Sequence, residues 1–261
     1  MSLLAPHRAM KFGAIIIGDE ILSGKRQDGH LATTIKTLGA RGLQLSWCHY
    51  LGDEPELIAA TLKRTFAGED VVFSFGGIGA TPDDHTRAAA ARAAGVPLRL
   101  HPDAEAEIRA RFADNPAGVT PQRLAMGEFP AGAEIIPNPY NRIPGFRFQR
   151  HHFLPGFPQM AWPMLEWVLD THYRHAFAPG TVAESSIIVR EAGESQLIDL
   201  MNVCQSRYPL IKVFSLPRLE PDRYIELGVR GEPGAVQGAI ATLKQGVSAL
   251  GFPWTESPGA G

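Results

Sequence analysis

"DVVFSFGGIGATPDDHTRAAAARAAG", Asp70 to Gly95, carries three signals in one stretch. Its first part is almost wholly apolar, as a central parallel strand covered on both faces has to be. A glycine-rich turn follows, and then an Ala-rich helix closed by Gly95. Strand, tight turn and helix in that order form the repeating unit of a parallel sheet with crossover helices.

The flanking sequence repeats the unit. Upstream, the β-prone run "FGAIIIGDE" precedes a helical pattern over Asp28 to Leu38 that ends in Gly39 and Gly42. "LQLSWCHYLGDE" alternates apolar and polar residues and gives way to "PELIAATLKRTF", whose apolar positions fall at helical spacing. Downstream, about Leu98 to Phe157, the pattern is less regular. It predicts a helix over Ala104 to Phe112 and a structured loop at "IPNPYNRIPGF", because proline cannot occupy a central strand or a helix interior. A short strand near "HHFLP" leads through "PGFPQM" into a helix reaching about Tyr173. If that strand forms, His151 and His152 point to opposite faces and do not share a metal.

"APGT" then marks a hinge. Beyond it the order becomes strand (182–190), helix (194–207), strand (210–216), strand (223–230) and helix (235–250), a small α+β domain. The tail after Phe252 reads as frayed. The expected domains are residues 11–176 and 181–252.

Bulk properties set limits. The chain has 261 residues, 44% of them hydrophobic and 20% charged, with a formal net charge of −2. That composition is globular, and the absence of a basic run excludes the electrostatic footprint of a nucleic-acid or anionic-membrane binder. Cys48 and Cys204 lack metal-site spacing and read as ordinary buried thiols in a reducing compartment. The opening "MSLLAPHRAM" has neither the apolar core nor the cleavage site of a leader, and no window resembles a membrane span. A cytoplasmic protein is expected.

Three strand ends carry similar chemistry: Gly18-Asp19-Glu20, Gly52-Asp53-Glu54, and Gly76 to Thr81 followed by Asp83 and Asp84. In open parallel sheets ligands bind beyond the carboxyl ends of the strands. Small residues there let backbone approach a ligand, and a helix starting at Pro82 would aim unpaired N–H groups at an anion. The structural alternative is equally concrete, with Thr81 as N-cap, Pro82 in the first helical position and Asp83 and Asp84 in a first turn favoured by the helix dipole. Both readings stay open on spacing alone. The glycine loop is neither a dinucleotide fingerprint nor a P-loop. If the acids do face a phosphate, two like charges ~4 Å apart repel by roughly 4 kcal/mol at an effective dielectric of 20, so something must lie between them. Either a hard divalent cation bridges carboxylates and phosphate, or the acids grip hydroxyl or amine groups.

Taken together and in order, "GDEILSG" with Asp28 downstream, "LGDEPELI", "GGIGATPDDHTRAAA", "PNPYNRIPGF" and "LPGFP" resemble the molybdopterin-binding domain shared by the MoaB/Mog and MoeA proteins of molybdenum cofactor biosynthesis. With "EAGESQLIDLM", the resemblance is closest to the competence/damage-inducible CinA type and covers about Lys11 to Gly231. It implies a three-layer α/β/α domain with a mostly parallel sheet. Carried over by position, it implies ligand contacts from Gly76, Gly77, Gly79 and Thr81, with Pro155, Gly156 and Pro158 matching the second turn; Gly18, Asp19, Glu20 and Asn138 are further expected ligand contacts. Asp84 and Asp53 become the acids tied to function, and Asp53, Asp83 and Asp84 the holders of a divalent metal (Mg²⁺, Mn²⁺ or Co²⁺).

The sequence departs from the family at His30, at Ala80, and at "YNRIPG" in place of the commoner Gly-Thr-Ala-Pro-Gly. His30 reads as an exposed or capping residue, and Arg142 as a new cation that either grips a phosphate or stays in solvent. The small domain is expected to serve a homodimer. Two functions follow from the resemblance: a divalent-metal-dependent pyrophosphatase acting on ADP-ribose or a related nucleotide diphosphate, or a non-catalytic holder of molybdopterin or its adenylate. Full-length CinA proteins add a nicotinamide mononucleotide deamidase domain that the resemblance does not reach, so deamidation is not expected.

Overall fold

The computed structural model describes residues 10–258; the opening residues 1–9 and the last three, 259–261, lie outside the described residues. The chain divides into two compact units, one ending at Phe177 and one starting at Ala178.

The first unit runs β1 (Phe12–Ile17), α1 (Asp19–Leu22), α2 (His30–Gly39), β2 (Leu45–Leu51), α3 (Pro55–Phe66), β3 (Val71–Phe75) and α4 (Thr86–Ala94). It continues with β4 (Leu98–Leu100), α5 (Pro102–Arg111), α6 (Pro121–Ala125), β5 (Glu128–Pro130), β6 (Glu134–Ile136), β7 (Gly145–Phe148), β8 (His151–Leu154) and α7 (Pro158–His172). Six strands form one sheet in the order β2-β1-β3-β8-β7-β6, while β4 and β5 pair separately. β2, β1, β3 and β8 are parallel neighbours, and β7 runs antiparallel to both β8 and β6.

The apolar runs of β1 and β3 are buried along their whole length, because helices cover both faces. Alternate residues serve opposite layers. Ala14, Ile16, Phe73 and Phe75 join Leu38 of α2 and Met164, Leu165 and Val168 of α7. Ile15, Ile17 and Val72 join Ile58 and Leu62 of α3 and Ala89 and Ala90 of α4. This is the expected three-layer α/β/α arrangement.

Two expectations fail here. The helix read from Pro82 begins at Thr86, leaving Thr81 to His85 as a turn. The stretch between Leu98 and Phe157 is not merely loop and helix, since it also holds β4 to β7. These strands of three or four residues are too short to display an alternating pattern.

The second unit is an antiparallel sheet in the order β10-β11-β9-β12, formed by β9 (Ala183–Val189), β10 (Ile211–Arg218), β11 (Tyr224–Gly231) and β12 (Trp254–Glu256). Helices α8 (Ile198–Arg207) and α9 (Pro233–Ala249) share its core through Cys204, Val236, Leu243 and Val247. The tail expected to fray instead supplies β12, which pairs with β9 from Trp254↔Val189 to Glu256↔Ile187. The Trp254 indole N–H donates to Ser248 Oγ at 2.9 Å, adding a side-chain tie to that edge. Among the described residues, no helix is long and apolar enough to cross a membrane.

His151 and His152 do point to opposite layers: His151 Nε2 lies 2.8 Å from Thr65 Oγ1, and His152 Nε2 lies 2.8 Å from Tyr173 Oη. Burial pushes the His151 imidazole down to about 3 and His152 well below its ordinary value, so both are neutral in the fold. In the unfolded chain both take up a proton below about pH 6.5. Each therefore contributes stability that is present above that pH and is lost, by about 1.4 kcal/mol per pH unit for each histidine, as the pH falls below it. Urea unfolding at pH 7.5 and pH 5 is expected to give a clearly lower midpoint at pH 5; an unchanged midpoint would contradict the burial of two neutral imidazoles.

Candidate functional site

Strand order dictates where a crevice can form. The connection leaving β1 leads to β2 on one side, whereas the chain leaving β3 leads on toward β8 on the other. The two connections depart in opposite directions, so a gap opens beyond the carboxyl ends of β1 and β3. A cleft of about 400 Å³ lies there, walled by Gly18, Gly76 to Thr81, Asn138 and Pro155 to Phe157. The ends are level across the sheet: Ile17 pairs with Leu51 in register, Phe75 with Leu154, and the Gly76 N–H donates to Leu154 O at 3.0 Å.

Of the residues assigned to the site by sequence, Gly18, Glu20, Asp53, Gly76, Gly77, Gly79, Thr81, Asp83, Asp84, Asn138, Pro155 and Gly156 all line this cleft. Asp19 is exposed and does not line the cleft. Its N–H donates to Asp53 Oδ2 at 2.9 Å, and the Asp53 N–H returns to Asp19 Oδ1 at 3.2 Å, so the two acids lock the ends of β1 and β2 together.

Glycine is required at two positions of the loop. Gly76 has φ 99°, and a Cβ there would sit 2.3 Å from Ile17 O; Gly77 has φ 70°, and a Cβ there would sit 2.2 Å from Thr86 Oγ1. The Thr86 hydroxyl uses that space to donate to Gly76 O at 3.0 Å. Among the described residues, the N–H groups of Gly77, Ile78, Ala80, Gly156 and Phe157 have no acceptor, so the loop and the second turn leave donors for an anion.

The acids divide into two kinds. Asp84 is committed to the loop: its carboxylate accepts from the N–H groups of Gly79 (2.9 Å) and Thr81 (2.8 Å) and from the Thr81 hydroxyl (2.6 Å). It is neither a first-turn helix acid nor an open ligand. Arg87, buried beneath, donates to Gly79 O at 2.7 Å and to Ala125 O, tying the loop to the segment that carries Met126. Asp53 is different. Its carboxyl is pushed up by burial and by the nearby Asp19, Glu20 and Asp83, while the Asp19 N–H only partly offsets the rise. Among the described residues, no three His, Cys, Asp or Glu side chains are grouped to hold a metal by themselves.

His30 departs from its sequence reading. It is buried, stacked on Phe75 with ring centroids 4.6 Å apart. The Trp162 indole N–H donates to His30 Nδ1 at 3.3 Å, so Nε2 carries the proton and donates to Gly156 O at 3.0 Å. His30 thus braces the second turn from behind. Arg142 is turned away from the cleft, with Nε and Nη2 both 3.0 Å from the Glu107 carboxylate. Asn138 is buried and holds its loop through Ile143 O (2.9 Å) and the Tyr140 N–H (3.0 Å).

The sequence reading missed Arg26, Met126, Asn141, Ile143, Phe157 and Met160, all of which line the cleft. Arg26 sits between "GDEILSG" and Asp28, and Phe157 inside "LPGFP", so both were within reach of that reading. Met126 was not, because only the tertiary fold brings it to the site.

Residues 13–175 match the family profile described as probable molybdopterin binding domain. A CinA-like protein of Desulfosudis oleivorans is 35% identical over 153 residues, which cover 57% of this chain and 37% of that protein. A protein of Pyrobaculum arsenaticum is 27% identical over 208 residues, 78% of each chain. Among solved structures, a CinA protein of unknown function from Thermoplasma acidophilum is 30% identical, with a TM-score of 0.56 over 62% of this chain and 97% of that one.

The hydrogen bonds of Asp84 give a direct test. Asp84→Ala leaves two loop N–H groups and a hydroxyl without their acceptor, and an expected loss of about 2–3 kcal/mol should appear in urea unfolding. Gly76→Ala should cost about 2 kcal/mol or more, through positive φ and the contact with Ile17 O. A neutral effect in both variants would overturn this account of the loop.

Proposed function

The chain belongs to the molybdopterin-binding domain family in its CinA-like branch, and we propose that it binds a phosphorylated nucleotide at the cleft and acts as a divalent-metal-dependent pyrophosphatase on ADP-ribose or a related nucleotide diphosphate. The observation that carries this reading is the sharing of one cleft by opposite demands. Unpaired N–H groups of the glycine loop call for an anion, and the crowded carboxylates around Asp53 call for a cation.

The acids suit such an ion by donor chemistry. Glu20, Asp53 and Asp83 are oxygen donors, the type that Mg²⁺ and Mn²⁺ prefer, and too few to cage it alone, so the remaining oxygens would come from the diphosphate and water. When bound, a divalent ion would neutralise charge on the diphosphate and polarise its P–O bonds. The protein's own part is to hold the substrate. The Gly77, Ile78 and Ala80 N–H groups would donate to the oxygens of one phosphoryl group, Asp84 would keep the loop in shape, and Arg26 would offer a positive side chain to the second phosphoryl. Hydrolysis adds a water oxygen to one phosphorus and breaks the bond to the bridging oxygen, which leaves with the other phosphate as a proton is released. The products are AMP and ribose 5-phosphate.

Asp53 supplies a sign-specific test. Its carboxyl is raised in the fold, so the stability tied to its proton is fully present below the ordinary carboxylate range and is lost as the pH rises through the raised value. Asp53→Asn is therefore expected to raise Tm at pH 7 and to change it little near pH 3, while slowing AMP release from ADP-ribose with Mg²⁺, Mn²⁺ or Co²⁺ about a hundredfold. No AMP with any of the three metals would overturn the pyrophosphatase reading. If ADP-ribose or molybdopterin then raised Tm without turnover, the non-catalytic binding reading would take its place.

A further inference from the structure

Five strand ends border the cleft, and their order gives it a direction. Beyond β2 lies Asp53, beyond β1 Gly18 and Glu20, beyond β3 the glycine loop, beyond β8 Pro155 to Phe157, and before β7 Ile143 and Pro144. Neighbouring strands are ~4.8 Å apart, so the distance from β2 to β7 is about 19 Å, the length of an extended dinucleotide-like molecule rather than of a single phosphate. The β2/β1 end holds the carboxylates. At the β8/β7 end, Ile143, Pro144, Phe157 and Met160 are uncharged, Arg142 is drawn away by Glu107, and Asn141 Nδ2 lies 3.4 Å from Met160 Sδ.

Phe157 has no role in the fold that accounts for its side chain. It occupies the N-cap of α7, where a Ser, Thr, Asp or Asn would satisfy a helix N–H, and it makes no side-chain cap. Its ring is 55% exposed on the cleft wall, outside both core clusters of its unit. Its backbone is nevertheless fixed, since its carbonyl accepts from the N–H groups of Met160 (3.0 Å) and Ala161 (2.9 Å). Of the two ends, a flat heteroaromatic ring is disfavoured beside the acids, because the negative face of its π-system would meet carboxylates.

We infer that Phe157 is the platform for the ligand's heteroaromatic base, which fixes the direction of binding: base at Phe157 and Met160, diphosphate across the glycine loop, and the second sugar toward the β2/β1 end. The inference rests on the nucleotide-binding reading above and adds a specificity determinant to it. Phe157 selects for the ring and not for the phosphates.

The test compares ADP-ribose with inorganic pyrophosphate by calorimetry in Mg²⁺, using the full chain and the variants Phe157→Ala and Phe157→Trp. Loss of one base–aromatic stack should weaken ADP-ribose binding about tenfold in Phe157→Ala, leave pyrophosphate binding unchanged, and be restored in Phe157→Trp. Parallel weakening of both ligands, weakening of neither, or wild-type binding of ADP-ribose no tighter than pyrophosphate would overturn the platform. Ring-selective binding that depends on Phe157, without AMP release, would overturn the pyrophosphatase reading alone and leave the platform standing.

Discussion

The site rests on the reversal of strand order at β1. Because β2 lies on one side of β1 and β3 on the other, the two connections leaving β1 and β3 cannot cover the gap between their ends. Burial fixes this arrangement: β1 and β3 are apolar on both faces and are satisfied only with helices above and below. The level register then brings Ile17, Leu51, Phe75 and Leu154 to one edge, and everything chemical follows from what comes immediately after those residues.

Much of this was legible in the sequence because it is written in local patterns. Continuous apolar runs mark β1 and β3, helical spacing marks α3, and the turn "PGFPQM" marks the entry to α7. The start of α4 was not legible, for a definite reason. Thr81-Pro82-Asp83-Asp84 satisfies every local rule for a helix start, yet the Asp84 carboxylate bonds the Gly79 and Thr81 N–H groups instead, and the helix begins at Thr86. Short polar side chains can bond either kind of backbone, and only the glycine loop decides between them. His30 was beyond reach for a different reason. Its partners, Gly156 and Trp162, are more than a hundred residues away in sequence, so nothing local separates a buried brace from an exposed helix opening.

The same distinction separates the acids. Asp84 and Asp53 look alike in sequence, each close behind a glycine at a strand end. In the fold, Asp84 accepts three hydrogen bonds and is a structural part of the anion-accepting loop. Asp53 accepts a backbone N–H, but burial first and then the neighbouring Asp19, Glu20 and Asp83 raise its pKa. One acid builds the loop whose N–H groups stay unpaired, and the other stands among like charges beside it.

That crowding of carboxylates beside unpaired N–H groups is what the proposed function has to reconcile. At ~4 Å and an effective dielectric of 20, a carboxylate and a phosphate repel by roughly 4 kcal/mol, so the cleft's own side chains are not by themselves complementary to an anionic ligand. In the proposed function a divalent cation would supply the missing complementarity, because one divalent charge would lower both the carboxylate–carboxylate and carboxylate–phosphate repulsions. The glycine loop without the acids would bind phosphate regardless of metal, and the acids without the loop would bind a cation regardless of ligand. Placed along one edge of the sheet, each would weaken the other's isolated binding, so that in the proposed function ligand and cation would bind as one event.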